Sequence, residues 1–231
     1  MNDPIRIVLA EDHPVMREAL HSLLMRESSI SLLAEAKNGA EALALIERHQ
    51  PDIALLDISM GRPDDGFEVA REMQARKWPV KVIFMSGQDY SEALLREFVH
   101  RALELKAAGF VLKSGSSSEI LDGLRAVAAG QRYFSGRLTP YMVDLHHRAQ
   151  TLEQQYPALN ELSRQERRIL LLLAEALTAR EIAAAMTLSH RTVENHLNHL
   201  RGKLNLKGHN HLLKFAIEHK TELLISSEAD K

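Results

Sequence analysis

Glu11 and Asp12 follow the apolar run IRIVLA, Asp57 closes DIALLD, Ser86 follows VKVIFM and Lys113 closes GFVLK. Carboxylates gathered at one place repel one another unless a hard divalent cation sits among them. Two or three carboxylate oxygens completed by water suit octahedral Mg²⁺. Within such a cluster Asp57 would be the nucleophile, attacking a phosphorus that the metal has made electrophilic and forming an aspartyl phosphate. Ser86 would supply a hydroxyl and Lys113 an ammonium to the oxygens of the new phosphoryl group. Taken singly, each acidic residue is equally well a turn or helix cap. Five such groups at the ends of successive apolar runs are harder to explain by capping.

The elements that must position them alternate. Apolar segments at residues 5–10, 31–36, 52–57, 80–85 and 109–113 are separated by amphipathic, helix-like stretches at 14–27, 40–48, 68–75, 91–107 and 118–129. Five short strands alternating with five helices imply a doubly wound α/β domain, its parallel sheet covered on both faces. In such a sheet, ligands bind at the carboxyl ends of the strands, which is where these groups fall. After Gly130 the strand signals stop. Thr139-Pro140 reads as an N-cap with Pro at the first helical position, opening a polar helix or linker to about Gln155, before the break at Pro157. Beyond it come only short helices: Ser163 to Glu166 and Thr178 to Glu181 are capping boxes, and Ser189 caps a third helix. The expected division is therefore residues 1–130, an interdomain segment 131–159, and an all-α domain 160–225.

At 231 residues with 45% hydrophobic content, the chain can bury more than one core. Its net charge of -2 hides a split. Residues 1–130 carry 15 basic and 20 acidic side chains, a net of -5, whereas residues 160–225 carry 10 and 7, a net of +3, and hold six of the twelve histidines, from His190 to His219. An acidic module joined to a polyanion binder fits this asymmetry. The absence of Cys removes disulfides, thiolate metal sites and Cys nucleophiles and fits a reducing cytoplasm. The longest strongly apolar run, residues 169–174, falls far short of the roughly 18 residues of a membrane span, so neither secretion nor membrane insertion is expected.

Residues 7–20 (IVLAEDHPVMREAL), Asp57 with Met60, Ser86-Gly87, and residues 108–113 (AGFVLK) resemble the receiver domain of response regulators. The resemblance implies a flavodoxin-like fold and Mg²⁺ held by Glu11, Asp12, Asp57 and the backbone carbonyl of Ser59. It further implies Asp57 as phospho-acceptor, Ser86 as switch hydroxyl, Lys113 as phosphate partner and Phe110 as the aromatic whose rotamer follows Ser86. Three departures stand out. Gly61 replaces a usual Pro, and GRPDDG is one residue longer than expected before Gly66; Ser114 stands where many receivers have a cis proline. The stretch from Ser86 to Lys113 is about five residues longer than is common, and Leu95, Phe98, Ala102 and Leu105 keep helical spacing through it, so the fourth helix should gain about one turn, or ~7 Å.

The short turn between the second and third C-terminal helices has helix-turn-helix spacing. Residues 162–206 resemble the LuxR-type DNA-binding domain at Leu162-Ser163, Glu166, Leu170, Glu181-Ile182-Ala183, Ser189, Thr192-Val193, His196 and Lys203-Leu204. Together the two resemblances point to the NarL/FixJ class of response regulators. The third helix should enter the major groove with Val193, Leu197, Leu200 and Leu204 inward. Ser189, Arg191, Thr192, Glu194, Asn195, Asn198, Arg201, Lys203 and Lys207 are the candidate DNA contacts; Asn can read adenine, Glu can accept from cytosine, and Arg and Lys chiefly neutralise phosphate. His196 reads as a packing or phosphate-contacting residue, and His209 with His211, two apart, as a weak metal pair. The helix over residues 210–218 is the expected pairing surface of a homodimer that reads paired half-sites on duplex DNA.

The reading is a cytoplasmic, non-enzymatic regulator that takes a phosphoryl group from a partner histidine kinase and controls transcription. A phosphorylation-independent DNA-binding regulator with an atypical receiver is one alternative. A Mg²⁺-dependent aspartyl-phosphate phosphohydrolase is another, although the acid/base carboxylate it would place two residues beyond the nucleophile is here Ser59.

Overall fold

The computed structural model describes residues 3–87, 90–207 and 210–229, and the chain divides into two units, residues 1–139 and 140–231. In the first, strands β1 (Ile5–Ala10), β2 (Ile30–Ala36), β3 (Ile53–Asp57), β4 (Lys81–Ser86) and β5 (Gly109–Leu112) alternate with helices α1 (Pro14–Met25), α2 (Gly39–His49), α3 (Asp65–Ala75), α4 (Glu92–Glu104) and α5 (Ser117–Ala128). All pairings are parallel, in the order β2-β1-β3-β4-β5-β6, the last being a two-residue strand (Tyr133–Phe134). β1 and β3 are buried almost end to end, as their unbroken apolar runs require when helices cover both faces. Ile7, Leu9, Leu55 and Met85 pack on one face with Leu24 of α1 and Leu124 of α5. On the other face Phe84 meets Phe67 of α3, ring centroids 4.7 Å apart, and Phe67 meets Phe98 of α4 at 5.7 Å.

Register decides where the polar residues land. Ala10 pairs with Leu56, so Glu11 and Asp57 leave the sheet side by side; Ser86 pairs with Leu112, so Lys113 emerges next to it, its N–H donating to the Ser86 carbonyl at 2.7 Å. The order reverses at β1, between β2 and β3, which opens a crevice at this edge.

Two expectations need correction. The sheet has six strands rather than five: β6 (Tyr133–Phe134) pairs with β5. Two residues are too few to carry an alternation signal. The pairing is secured by buried Ser135, whose Oγ accepts from the Leu112 N–H at 3.0 Å and donates to Glu119 Oε2 at 2.7 Å. The segment 131–159 is also not a separate linker, because residues 131–139 go with the first unit while α6 (Thr139–Gln155) packs Leu152 into the core of the second.

α4 runs unbroken for 13 residues from a Ser91 cap that accepts from Leu94 N, ends at Glu104, and is followed by Lys106 at φ +55°.

The second unit continues with α7 (Arg164–Ala174), α8 (Ala179–Met186), α9 (His190–Lys203), α10 (His211–Glu218) and α11 (Lys220–Ala229) around Ile169, Leu170, Ile182, Val193, Leu200 and Phe215. Both capping boxes form. α11 was not expected; it follows α10 after only His219, and Leu223 joins the same core.

Gly66, in the first turn of α3, is where helix and strand approach most closely: a Cβ there would lie 2.2 Å from the Asp57 carbonyl oxygen. Gly66→Ala should therefore destabilise the first unit by about 3 kcal/mol, measurable by denaturant unfolding, since backbone rather than a flexible side chain must move.

Candidate functional site

At the strand ends, one oxygen each from Glu11, Asp12 and Asp57 lie within 4.8 Å of one another. Glu11 and Asp57 are buried, at 0% and 5% exposure. Lys113 reaches between them, its Nζ 2.6 Å from Glu11 Oε2 and 2.8 Å from Asp57 Oδ2. The approach to Glu11 Oε2 is close but poorly aligned for a hydrogen bond, so that oxygen is paired electrostatically and keeps free lone pairs. Asp12 Oδ2 accepts from the Gly61 N–H at 2.9 Å, and Arg17 ties down the backbone carbonyls of Glu11 and Asp12 at 2.9 and 3.2 Å.

Burial pushes the Glu11 carboxyl above its usual range, with the Asp57 charge adding and Lys113 opposing. Burial also raises Asp57, against Lys113 and with Asp12. For Lys113, burial alone would lower the ammonium; the Asp57 and Glu11 carboxylates outweigh it and raise the pKa. The site thus holds more negative charge than one ammonium balances, the condition in which a divalent cation is favoured. The donor set fits Mg²⁺: all oxygen, partly desolvated and open on the Asp12 side.

Ser86 is 1% exposed and its Oγ has no hydrogen-bond partner, a costly state for a buried hydroxyl. Phe110, wholly buried, pairs with Phe84 across the β4–β5 register. Tyr90, which sequence reasoning missed, stacks edge-on against Phe98, centroids 5.0 Å apart, with its hydroxyl 3.5 Å from Ser59 Oγ. Nothing in the sequence marks it, because its place depends on the path of the loop after β4.

In the second unit, α8 and α9 are joined by residues 187–189, with Thr187 at φ +57° and Ser189 Oγ accepting from Thr192 N at 3.0 Å. Val193 and Leu200 face the core, while Arg191, Glu194, Asn195 and Asn198 are exposed and, with the half-buried Arg201, line one groove beside Leu212 and Leu213 of α10. Arg201 donates to Asn198 Oδ1 at 3.2 Å, and its buried Nε has no partner. Lys207 is exposed. Ser189 and Thr192 spend their hydroxyls on the helix cap, bonded to each other at 2.7 Å. Lys203, one of the candidate DNA contacts, donates to Glu166 Oε2 at 2.9 Å. His211 opens α10, and His209 lies outside the described residues.

Comparison with known proteins agrees with this geometry. Residues 7–125 match the response regulator receiver domain family, and residues 160–216 match the bacterial regulatory proteins of the luxR family. The chain is 30% identical over 206 residues to the nitrate/nitrite response regulator protein NarL of Escherichia coli K12, covering 89% of this chain and 91% of that protein. It is 32% identical over 216 residues to the DNA-binding transcriptional activator DevR/DosR of Mycobacterium tuberculosis, covering 93% and 94%. Among solved structures, a LuxR-family two-component response regulator from Aurantimonas sp. SI85-9A1 matches with a TM-score of 0.56 at 27% identity, over 62% of this chain and 97% of that one. The protein belongs to the response regulators that join a receiver to a LuxR-type DNA-binding domain. Within them it is a transcriptional regulator of the NarL/FixJ class.

The Lys203–Glu166 contact has a measurable consequence. Burial alone would raise the Glu166 pKa; hydrogen bonds from Lys203 and Ser163 outweigh it and pull it down to about 2. As pH falls, the unfolded chain takes up this proton first, so the contribution, on the order of 3 kcal/mol, is complete above about pH 4.5 and lost toward about pH 2. Glu166→Gln, which keeps a capping-box side chain, should flatten that part of the acid limb in hydrogen exchange of the α7 and α9 amides.

Proposed function

We propose that Asp57 is the phospho-acceptor of this regulator and that a partner histidine kinase is the donor. The observation that carries the reading is the convergence of three carboxylates, one lysine ammonium and an unpaired buried hydroxyl at the edge where the strand order reverses. Asp57 Oδ attacks the phosphorus of the kinase phosphohistidine, the P–N bond breaks, and the carboxylate becomes an acyl phosphate. Glu11, Asp12, Asp57 and the Ser59 carbonyl would hold Mg²⁺, which would supply charge neutralisation for the crowded oxygens. Lys113, already 2.8 Å from Asp57, moves its ammonium onto a phosphoryl oxygen. Ser86 gains in that oxygen the acceptor its hydroxyl lacks, and Phe110 adjusts to the movement of Ser86. The chemistry is a switch and not turnover: Ser59 offers no carboxylate to activate water.

Downstream, the exposed face of α9 is the DNA-reading surface. Asn195, Asn198 and Glu194 are suited to base edges, and Arg191, Arg201 and Lys207 to phosphates. Lys203, Ser189 and Thr192 act structurally by shaping the helix. α10, with Ile217 48% exposed, serves as the pairing face of a homodimer on two half-sites. Among the described residues no helix is long and apolar enough to cross a membrane, which supports a cytoplasmic site of action.

Intact-mass measurement after incubation with Mg²⁺ and a small phosphodonor should show a single phosphoryl adduct on the wild type and none on Asp57→Ala. No adduct on either would favour phosphorylation-independent DNA binding. Salt titration of binding to nonspecific duplex should separate the cations. Arg191→Ala should weaken binding and reduce the slope of log K against log salt by about 0.9, whereas Lys203→Ala should leave the slope unchanged.

A further inference from the structure

The loop between β3 and α3 meets α4 in the first unit. In the loop between β3 and α3, Gly61 adopts φ +83°, a conformation glycine takes without a Cβ clash, and this aims its N–H at Asp12 Oδ2. At the far end of the same loop, Asp64 stands at the N-cap of α3. An Asp there ordinarily accepts from the first helical amides, yet this one makes no such bond and holds φ at +69°. Its carboxylate is turned instead to Arg101, whose NH1 donates to Asp64 Oδ1 at 2.7 Å. The guanidinium also lies over the Phe67 ring, 4.2 Å from its centroid. Arg101 sits in the last turn of α4.

We propose that Arg101 is a positioning residue for phosphoryl transfer, acting through Asp64 and Phe67 on the loop that sets the Asp12 carboxylate and carries the Ser59 carbonyl. The proposal rests on the assignment of Asp57 and its Mg²⁺ ligands given above. An exposed ion pair alone would do little. This one is half-buried, is reinforced by a cation–π contact, and holds a loop whose other end is bonded to a metal-site carboxylate. The forgone helix cap and the left-handed backbone at Asp64 are what the contact sustains. Because α4 and the metal site share this loop, they are linked: whatever displaces α4 loosens the site, and occupation of the site favours the latched position of α4.

The test is a double-mutant cycle on the full chain with Arg101→Met and Asp64→Asn, reading the Mg²⁺ dissociation constant by calorimetry and the Mg²⁺ dependence of labelling by a small phosphodonor. Simple Coulomb repulsion predicts tighter Mg²⁺ binding when Arg101 is removed; positioning predicts the opposite sign. We expect Arg101→Met to weaken binding about threefold to tenfold, with no further loss in the double variant relative to Asp64→Asn. Arg101→Lys, which keeps the charge but not the flat face, should fall between. Saturating Mg²⁺ should restore the labelling rate, and thermal unfolding midpoints should stay close to wild type. Unchanged or tighter Mg²⁺ binding in Arg101→Met, or additive losses in the double variant, would overturn the proposal. Failure of the wild type to accept a phosphoryl group would instead remove the Asp57 assignment, while the Mg²⁺ cycle would still decide the role of Arg101.

Discussion

Two buried carboxylates share one lysine at the edge of the sheet, and much of the first unit is arranged around that unequal charge balance. Glu11 and Asp57 are driven together by strand register, and neither has enough water to stay comfortably ionised. Lys113 makes the resting state tolerable by standing between them. A group that must leave one partner to serve another is a natural switch element. The same edge leaves the buried Ser86 hydroxyl unpaired, so the site lacks one hydrogen bond.

The rest of the unit keeps this edge in place. The largely buried strand β1 and the wholly buried β3 fix the separation of Glu11 and Asp57, and Gly66 lets α3 pack against the backbone of Asp57. On the α3 and α4 face, Phe67 joins three relationships at once: it meets Phe84 of the sheet, Phe98 of α4, and the Arg101 guanidinium. The loop after Asp57 is therefore held by aromatic packing and an ion pair as well as by the glycine backbone that reaches Asp12.

The second unit solves a different problem, the presentation of a short helix with one face in the core and the other free. Its capping boxes start α7 and α8 cleanly, and Lys203 anchors the far end of α9 to the Glu166 of the first box. Glu166 thus satisfies a helix N-terminus and fixes α9 with one carboxylate. A cation that looks from sequence like a DNA contact is engaged in holding the domain together.

The alternating apolar runs determined by themselves that Asp57 and Ser86 end strands and that Glu11 and Lys113 follow strands directly, and the 3.6-residue spacing determined that α9 turns Val193 and Leu200 inward. Both are local periodicities that a parallel sheet and a packed helix must obey. The capping boxes were legible for the same reason, since their partners lie three residues apart. What lay beyond reach depends on contacts distant in sequence. β6 is too short to show a period and exists because β5 offers it an edge. α11 is defined by the core it enters. The partners of Lys203, Arg101 and Tyr90 lie 37, 37 and 31 residues away. A charged or aromatic side chain carries no mark of which distant group it will meet; only the closing of the fold settled that Lys203 faces Glu166 and Arg101 faces Asp64.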